Sequence, residues 1–390
     1  MEAATVRVTA AVAPAPDHPL RLEELRLDGP GPGEVLVRIV ASGVCRTDAD
    51  ARCGRSAFPL PGVLGHEGVG RVLDVGPGVT SPAVGEAVLL GWPACGRCRH
   101  CRGGRPRYCA DLPGLLFGGR RPDGGAVFRR ADGTPVAGRF FGQSSFASHA
   151  VLPAAALVPV RTSLPLAAVA ALGCGISAGA GAVLYAARPE PGASVAVFGV
   201  GAVGLAAVMA ARCTAATTIV AVDRDPARLA LARRYGATHT VDVTGVRNVA
   251  RAVRERCDGP ADVTVECTGD PRVVRQAVDA VGMPGTCCLV GAARPGETFA
   301  VDQQTMLRGK RIQGSLGGEG RPEELVPALL RLAEQGRFPF PELVAYRPFD
   351  DPEAALADLL AGAVVKPVLV LEPAALTART DGCEGSGRSR

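Results

Sequence analysis

Ser194-Val195-Ala196-Val197-Phe198-Gly199-Val200-Gly201-Ala202-Val203-Gly204 sets an apolar run against three spaced glycines, and the reading of the fold starts from this stretch. The run is the length of a buried strand, and residues 202–213 continue with the spacing of a helix. A glycine-rich chain produces Gly-x-Gly-x-x-Gly by chance, so the strand before it and the helix after it are what give it meaning. Gly199 permits a tight turn, and Gly201 lets the backbone approach a pyrophosphate. Gly204, after Val203, allows the helix to pack closely on the strand. The helix N-terminus then offers free N–H groups to phosphate charge. Asp223 closes a second strand roughly twenty residues on, where an acid binds the adenosine ribose hydroxyls. An acid there repels a 2′-phosphate and favours NAD over NADP, while the adjacent Arg224 could pair with such a phosphate.

Downstream, strand and helix patterns alternate. Asp225-Pro226 opens a helix with a cap and a first-turn proline, and it runs to Tyr235 before Gly236. Apolar runs at 261–267, 286–290 and 311–316 flank a helical pattern at 271–281. This alternation predicts an α/β class with a doubly wound parallel sheet. The first third instead reads as β-rich, with strand-like runs at 35–40 and 68–75 closed by Gly/Pro turns. Residues 114–142, rich in Gly and Arg, read as an extended surface loop. A helix at 323–335 and a strand at 367–371 return to another architecture, and the tail from 373 reads as disordered. The expected organisation is a β-rich domain over 1–174 and 317–372, interrupted by a nucleotide-binding domain over 175–316, with a tail at 373–390.

Composition narrows the class. The chain has 390 residues, too many for one ordinary core, with 47% hydrophobic and 21% charged residues, as in a soluble globular protein. A net charge of +5 from scattered arginines gives no stripe for nucleic acid. Two uncharged stretches, 164–187 and 194–211, are long enough to span a bilayer, but their Ala and Gly content reads as buried core, so no membrane is expected. The N-terminus has no secretion signal, and 13 cysteines then point to metal ligands and reduced thiols, hence a cytoplasmic protein.

Cys95-x2-Cys98-x2-Cys101-x7-Cys109 suits one tetrahedral zinc with every position filled by sulfur, a closed and structural site. An iron–sulfur cluster would satisfy the same ligand count, but nothing else in the chain suggests electron transfer. Cys45, His66 and Cys174 lie too far apart for spacing to join them. Their settings are Gly43-Val44-Cys45-Arg46-Thr47-Asp48, Gly65-His66-Glu67-Gly68 and Gly173-Cys174-Gly175. With the four-cysteine loop and the nucleotide fingerprint in the same order, these segments resemble the zinc-containing medium-chain alcohol dehydrogenases over residues 1–372. The stretches 141–147 and 195–211 look like the aryl-alcohol (benzyl-alcohol) branch.

The resemblance implies a GroES-like catalytic domain beside the Rossmann domain, two zincs per chain, NAD, and hydride transfer between a small primary alcohol and its aldehyde. It makes Cys45, His66 and Cys174 ligands of a catalytic zinc, an ion that acidifies the alcohol hydroxyl or polarises a carbonyl. Thr47 would carry the alcohol proton outward, Asp48 would hold the His66 ring, and Glu67 would modulate the metal. Arg46 and Lys366 would meet the pyrophosphate, and Val290 and Leu316 would offer backbone groups to the nicotinamide amide. Many relatives place a histidine a few residues beyond the first cysteine ligand, and Asp50 stands there instead, so either Asp50 with water ends the proton relay or the proton leaves differently. The resemblance also implies a homodimer through the nucleotide domains, or a homotetramer. Two rival functions are a carbonyl reductase in a natural-product pathway and a zinc-stabilised nucleotide-binding protein without turnover; the second needs a missing ligand, and none is missing.

Overall fold

The structure, a computed structural model, describes residues 5–377 and 380. It divides into two compact units. The first is Met1–Gly173 with Val326–Glu334 and Val344–Arg390, and the second is Cys174–Leu325 with Gln335–Leu343.

In the second unit six strands, all paired in parallel, stand in the order His239–Asp242, Thr218–Asp223, Ser194–Phe198, Ala261–Glu266, Val281–Leu289, Lys310–Gly314. The order runs outward one way from Ser194–Phe198 and then the other, so the switch point lies beside that strand, where α/β sheets bind ligands at their carboxyl ends. Every residue of Ser194–Phe198 is buried, as expected of a parallel strand covered on both faces. Helices Pro226–Tyr235 and Pro271–Ala280 start alike, with Asp225 or Asp270 accepting first-turn N–H groups and proline at the first position.

The first unit holds a five-stranded sheet and a larger seven-stranded one. The long central strand of the latter, Glu34–Gly43, is covered on both faces and alternates between two cores. Val35, Val37 and Ile39 face one, while Leu36 faces the other, which holds Phe58, Phe128, Phe140, Phe141 and Phe146.

Three expectations need correction. Residues 114–142 are not an extended surface loop. Helix Leu112–Phe117, strands Phe128–Arg129 and Pro135–Val136 and a short turn at Phe140–Gly142 run through them, because Leu116, Phe128, Phe140 and Phe141 bury in the core. The second unit extends past 316. A Cβ at Gly181 would lie 1.9 Å from the Gly318 carbonyl oxygen, so the backbones touch there, and Glu342 pairs with Arg234. The tail is ordered at its start: Pro373–Leu376 forms a helical turn, and the Thr380 hydroxyl donates to the Thr162 carbonyl at 2.9 Å. The rest of the tail, 378–379 and 381–390, lies outside the described residues. Among the described residues no single helix is long and apolar enough to cross a membrane. The pair Leu166–Gly173 and Gly175–Ala187 passes only together and is bent by 62°.

Glu34 anchors the former loop segment. Its carboxylate accepts from Arg139 at 2.5 Å, from Arg121 and from the Gly31 N–H at 3.0 Å. Burial pushes this carboxyl up, but the Arg121 hydrogen bond, the Gly31 N–H and the two guanidinium charges together hold it below its ordinary value. Glu34→Gln should therefore cost about 3 kcal/mol at neutral pH, since it takes the counter-ion from the buried Arg139, whereas Arg121 keeps Asp28. A carboxyl depressed in the folded state stabilises fully above the unfolded value of 4.5 and loses that contribution as pH falls through the lower folded value. Urea unfolding of wild type and variant should thus converge in acid; a gap independent of pH would contradict this.

Candidate active site

Cys45 immediately precedes helix Arg46–Arg52, and the third helical residue, Asp48, turns back toward it. Asp48 Oδ2 accepts from the Cys45 N–H at 2.9 Å; Oδ1 accepts from the Gly65 N–H at 3.1 Å and faces His66 Nδ1 at 3.0 Å. Asp48 and His66 are both fully buried. Because the carboxylate only accepts, it places the ring proton on Nδ1 and leaves the Nε2 lone pair open. His66 Nε2 is buried with no hydrogen-bond partner among the described residues. Gln143 fixes the backbone on either side: its Nε2 donates to the His66 carbonyl at 3.0 Å and its Oε1 accepts from the Gly68 N–H at 3.0 Å.

Donor atoms of Cys45, His66, Glu67 and Cys174 lie within 4.8 Å of one another. Cys174 follows directly on Gly173, whose missing side chain lets Glu67 through: a Cβ there would meet the Glu67 Cα at 2.7 Å. A Cβ at Gly43 would likewise stand 2.0 Å from Glu67 Oε2. Two sulfurs and the imidazole Nε2 form a donor set suited to zinc. Burial pushes the Glu67 carboxyl up to about 7 against the pull of the Lys366 ammonium.

Lys366, expected at the pyrophosphate, is 2% exposed, ion-paired with Glu67, and donates to the Val44 carbonyl at 3.1 Å. Arg46, by contrast, is exposed on the first turn of its helix. The Thr47 hydroxyl stands 3.7 Å from Cys45 Sγ. Asp50 is held by Arg55, whose Nε and Nη2 approach one oxygen at 3.0 and 2.7 Å.

The four sulfurs of Cys95, Cys98, Cys101 and Cys109 also lie within 4.8 Å of one another. Backbone N–H groups turn toward them: Cys95 N–H points at Cys109 Sγ, 3.3 Å away, and Cys98 N–H at Cys95 Sγ, 3.4 Å away. The N–H groups of Ala110 and Cys101 pull the Cys98 thiol down to about 6, while burial and the neighbouring thiols push the Cys101 thiol up to about 12.

In the second unit the three glycines have three separate reasons. Gly199 has φ +82°, and a Cβ there would strike Thr268 at 2.4 Å. At Gly201 a Cβ would find nothing nearer than Arg228 at 3.9 Å, so a ligand has room to approach the backbone. At Gly204 it would lie 1.9 Å from the Gly199 carbonyl oxygen. Asp223 braces the loop, accepting from the Val200 N–H at 2.7 Å and from the Arg224 N–H at 2.7 Å, while the Arg224 side chain is exposed. Val203 lies beside Gly175 and Gly179. Val290 follows strand Val281–Leu289 and Leu316 follows strand Lys310–Gly314, both at carboxyl ends of the sheet.

Sequence reasoning gave no role to Gln143, Arg55, Arg228, Trp92 or Arg107. Gln143 carried a signal, since it lies in the stretch 141–147 that bears the family resemblance, and so did Trp92, as the one tryptophan, three residues before the cysteine loop.

Comparison with known proteins agrees with this geometry. Residues 31–162 match the family described as alcohol dehydrogenase GroES-like domain, and 202–335 the one described as zinc-binding dehydrogenase. Geraniol dehydrogenase of Castellaniella defragrans is 38% identical over 367 residues, 94% of this chain and 98% of the relative. An alcohol dehydrogenase zinc-binding domain protein from Burkholderia ambifaria superposes with a TM-score of 0.92 at 45% identity, covering 94% of this chain and 100% of that one. Benzyl alcohol dehydrogenase of Acinetobacter calcoaceticus gives 0.90 at 38% identity, covering 94% and 99%.

Elemental analysis should find two zincs per chain. Cys109→Ser should leave about one and lower the melting temperature, whereas Cys174→Ala should lose the other with little change in melting. Full zinc retention in both variants would show that these sulfurs are not ligands.

Proposed function

The chain belongs to the zinc-dependent alcohol dehydrogenase family, whose members use zinc and NAD, and on that premise we propose that it oxidises a primary benzylic or similar aryl alcohol to the aldehyde. The observation that carries the chemistry is the open donor set: Cys45, Cys174 and a His66 Nε2 freed for a metal by Asp48. A zinc bound there would supply the Lewis acidity that makes the alcohol hydroxyl give up its proton. The chain's own residues do the rest. Asp48 holds the imidazole, and Glu67, tied to Lys366, sets the charge beside the donors. Thr47 takes the hydroxyl proton, and Asp50, steadied by Arg55, receives it toward solvent. The aryl preference is supported by Phe141, whose ring centre lies 4.5 Å from that of His66, with Trp92 beyond it.

The glycine turn and Asp223 favour NAD, because a carboxylate at the end of strand Thr218–Asp223 repels a 2′-phosphate. Arg46 meets the pyrophosphate, and Val290 and Leu316 offer backbone groups to the nicotinamide. The working form is a homodimer through the second unit. Strand Lys310–Gly314 is the sheet's edge, and Met283, Phe299, Val301 and Leu307 are exposed in that part of the chain. A cytoplasmic setting suits this cysteine usage, since none of the described cysteines is in a disulfide.

Absorbance of reduced nicotinamide should rise with benzyl and cinnamyl alcohols in the presence of NAD, and at least about tenfold less efficiently with NADP. Hydroxymethyl-glutathione and aliphatic alcohols serve as comparisons; no turnover of aryl alcohols would sink the substrate reading. Cys174→Ala should abolish turnover while NAD binding, read by calorimetry, persists.

A further inference from the structure

The closed cysteine loop reaches the open donor set through a line of aromatic contacts inside the first unit. Arg107 lies two residues before Cys109 and is 7% exposed, and its guanidinium carbon stands 4.5 Å from the centre of the Trp92 ring. Trp92 meets Phe141 edge to face at 5.0 Å, and Phe141 lies over His66 at 4.5 Å. Phe117 and Phe140 brace Phe141 from the sides at 5.3 and 5.0 Å.

Two observations set this line apart from ordinary core packing. Phe141 has φ +51°, a left-handed conformation that a bulky residue keeps only where its surroundings hold it. The next residue, Gly142, leaves no space for a Cβ, which would meet Pro93 at 2.5 Å, so the turn is wedged in place. The Trp92 indole N–H is buried yet has no hydrogen-bond partner among the described residues, although the ring keeps some exposure. A guanidinium lies flat against an indole in a way an ammonium does not, so the ring is held in orientation as well as in place.

We propose that Arg107 is a positioning residue: it fixes the Trp92 ring, and the Trp92–Phe141 wall selects alcohols bearing a flat aromatic or unsaturated group over short aliphatic ones. The closed zinc loop thereby sets substrate preference as well as stability. The inference rests on the reading of Cys45, His66 and Cys174 as the catalytic metal site.

The test uses the zinc-loaded enzyme, whose single tryptophan reports the clamp by its own emission. Arg107→Gln should shift that emission and raise KM for benzyl alcohol on the order of tenfold, with kcat and the KM for n-butanol held within about twofold. Zinc content should stay at two per chain, and Arg107→Lys should recover part of the KM. Trp92→Leu should reproduce the kinetic pattern, and Trp92→Phe should restore most of it, so the test survives if Arg107→Gln fails to fold. Equal losses on benzyl alcohol and n-butanol, or an unchanged benzyl KM in Trp92→Leu, would overturn the inference. Absence of benzylic turnover in the wild type is a different result, since it removes the substrate reading itself.

Discussion

One buried carboxylate organises the open donor set. Asp48 ties together the start of a helix through the Cys45 N–H, a turn through the Gly65 N–H, and the His66 ring through Nδ1. These are three points that the chain would otherwise have to position independently. A carboxylate without exposure costs several kcal/mol unless its oxygens are satisfied, and here every contact that satisfies it also aims a donor. The short helix Arg46–Arg52 thus serves mainly to carry Asp48 back over Cys45. Gln143 repeats the device one layer further out, fixing the His66 carbonyl and the Gly68 N–H from a buried side-chain amide.

Close backbone approach is the second constraint, and both units meet it with glycine. Around Glu67, Gly43 and Gly173 stand where any Cβ would collide with the carboxylate or its backbone. In the nucleotide turn, Gly204 presses its helix against the Gly199 carbonyl, while Gly201 is left open. The two kinds of glycine are distinct: those at collisions are fixed by packing within the protein, whereas a Cβ at Gly201 would meet open space.

Much of this was legible in the residues. Strand Thr218–Asp223 and the start of helix Pro226–Tyr235 fall where the apolar run and the Asp-Pro cap place them, because those signals are local. The four-cysteine loop was legible for the same reason. The grouping of Cys45, His66 and Cys174 was not, since the pairing of distant strands brings them together, and only resemblance supplied it. Residues 114–142 misled because Gly and Arg dominate their composition, whereas Phe128, Phe140 and Phe141 and the pairing of Arg121 and Arg139 with Glu34 decide their burial. The pairing of Lys366 was not legible because a lone basic residue says nothing of its counter-ion, which lies 299 positions away at Glu67.

Charge balance explains why Lys366 sits there. Two thiolates and the Glu67 carboxylate, set against one ammonium, leave two negative charges in a buried place. A divalent cation cancels them, and the cluster then carries no net charge into a medium that penalises one. Without Lys366 the same cluster would keep a charge with no solvent to spread it. The four-cysteine loop faces the opposite situation: four thiolates around a divalent ion leave two negative charges whatever the protein does inside. That loop is more exposed, and it carries Arg97, Arg99, Arg102, Arg105 and Arg107 in its own short sequence. The cluster of Cys45, His66 and Cys174 balances its charge with one buried lysine. The four-cysteine loop surrounds itself with arginines, and one of these, Arg107, turns inward onto Trp92.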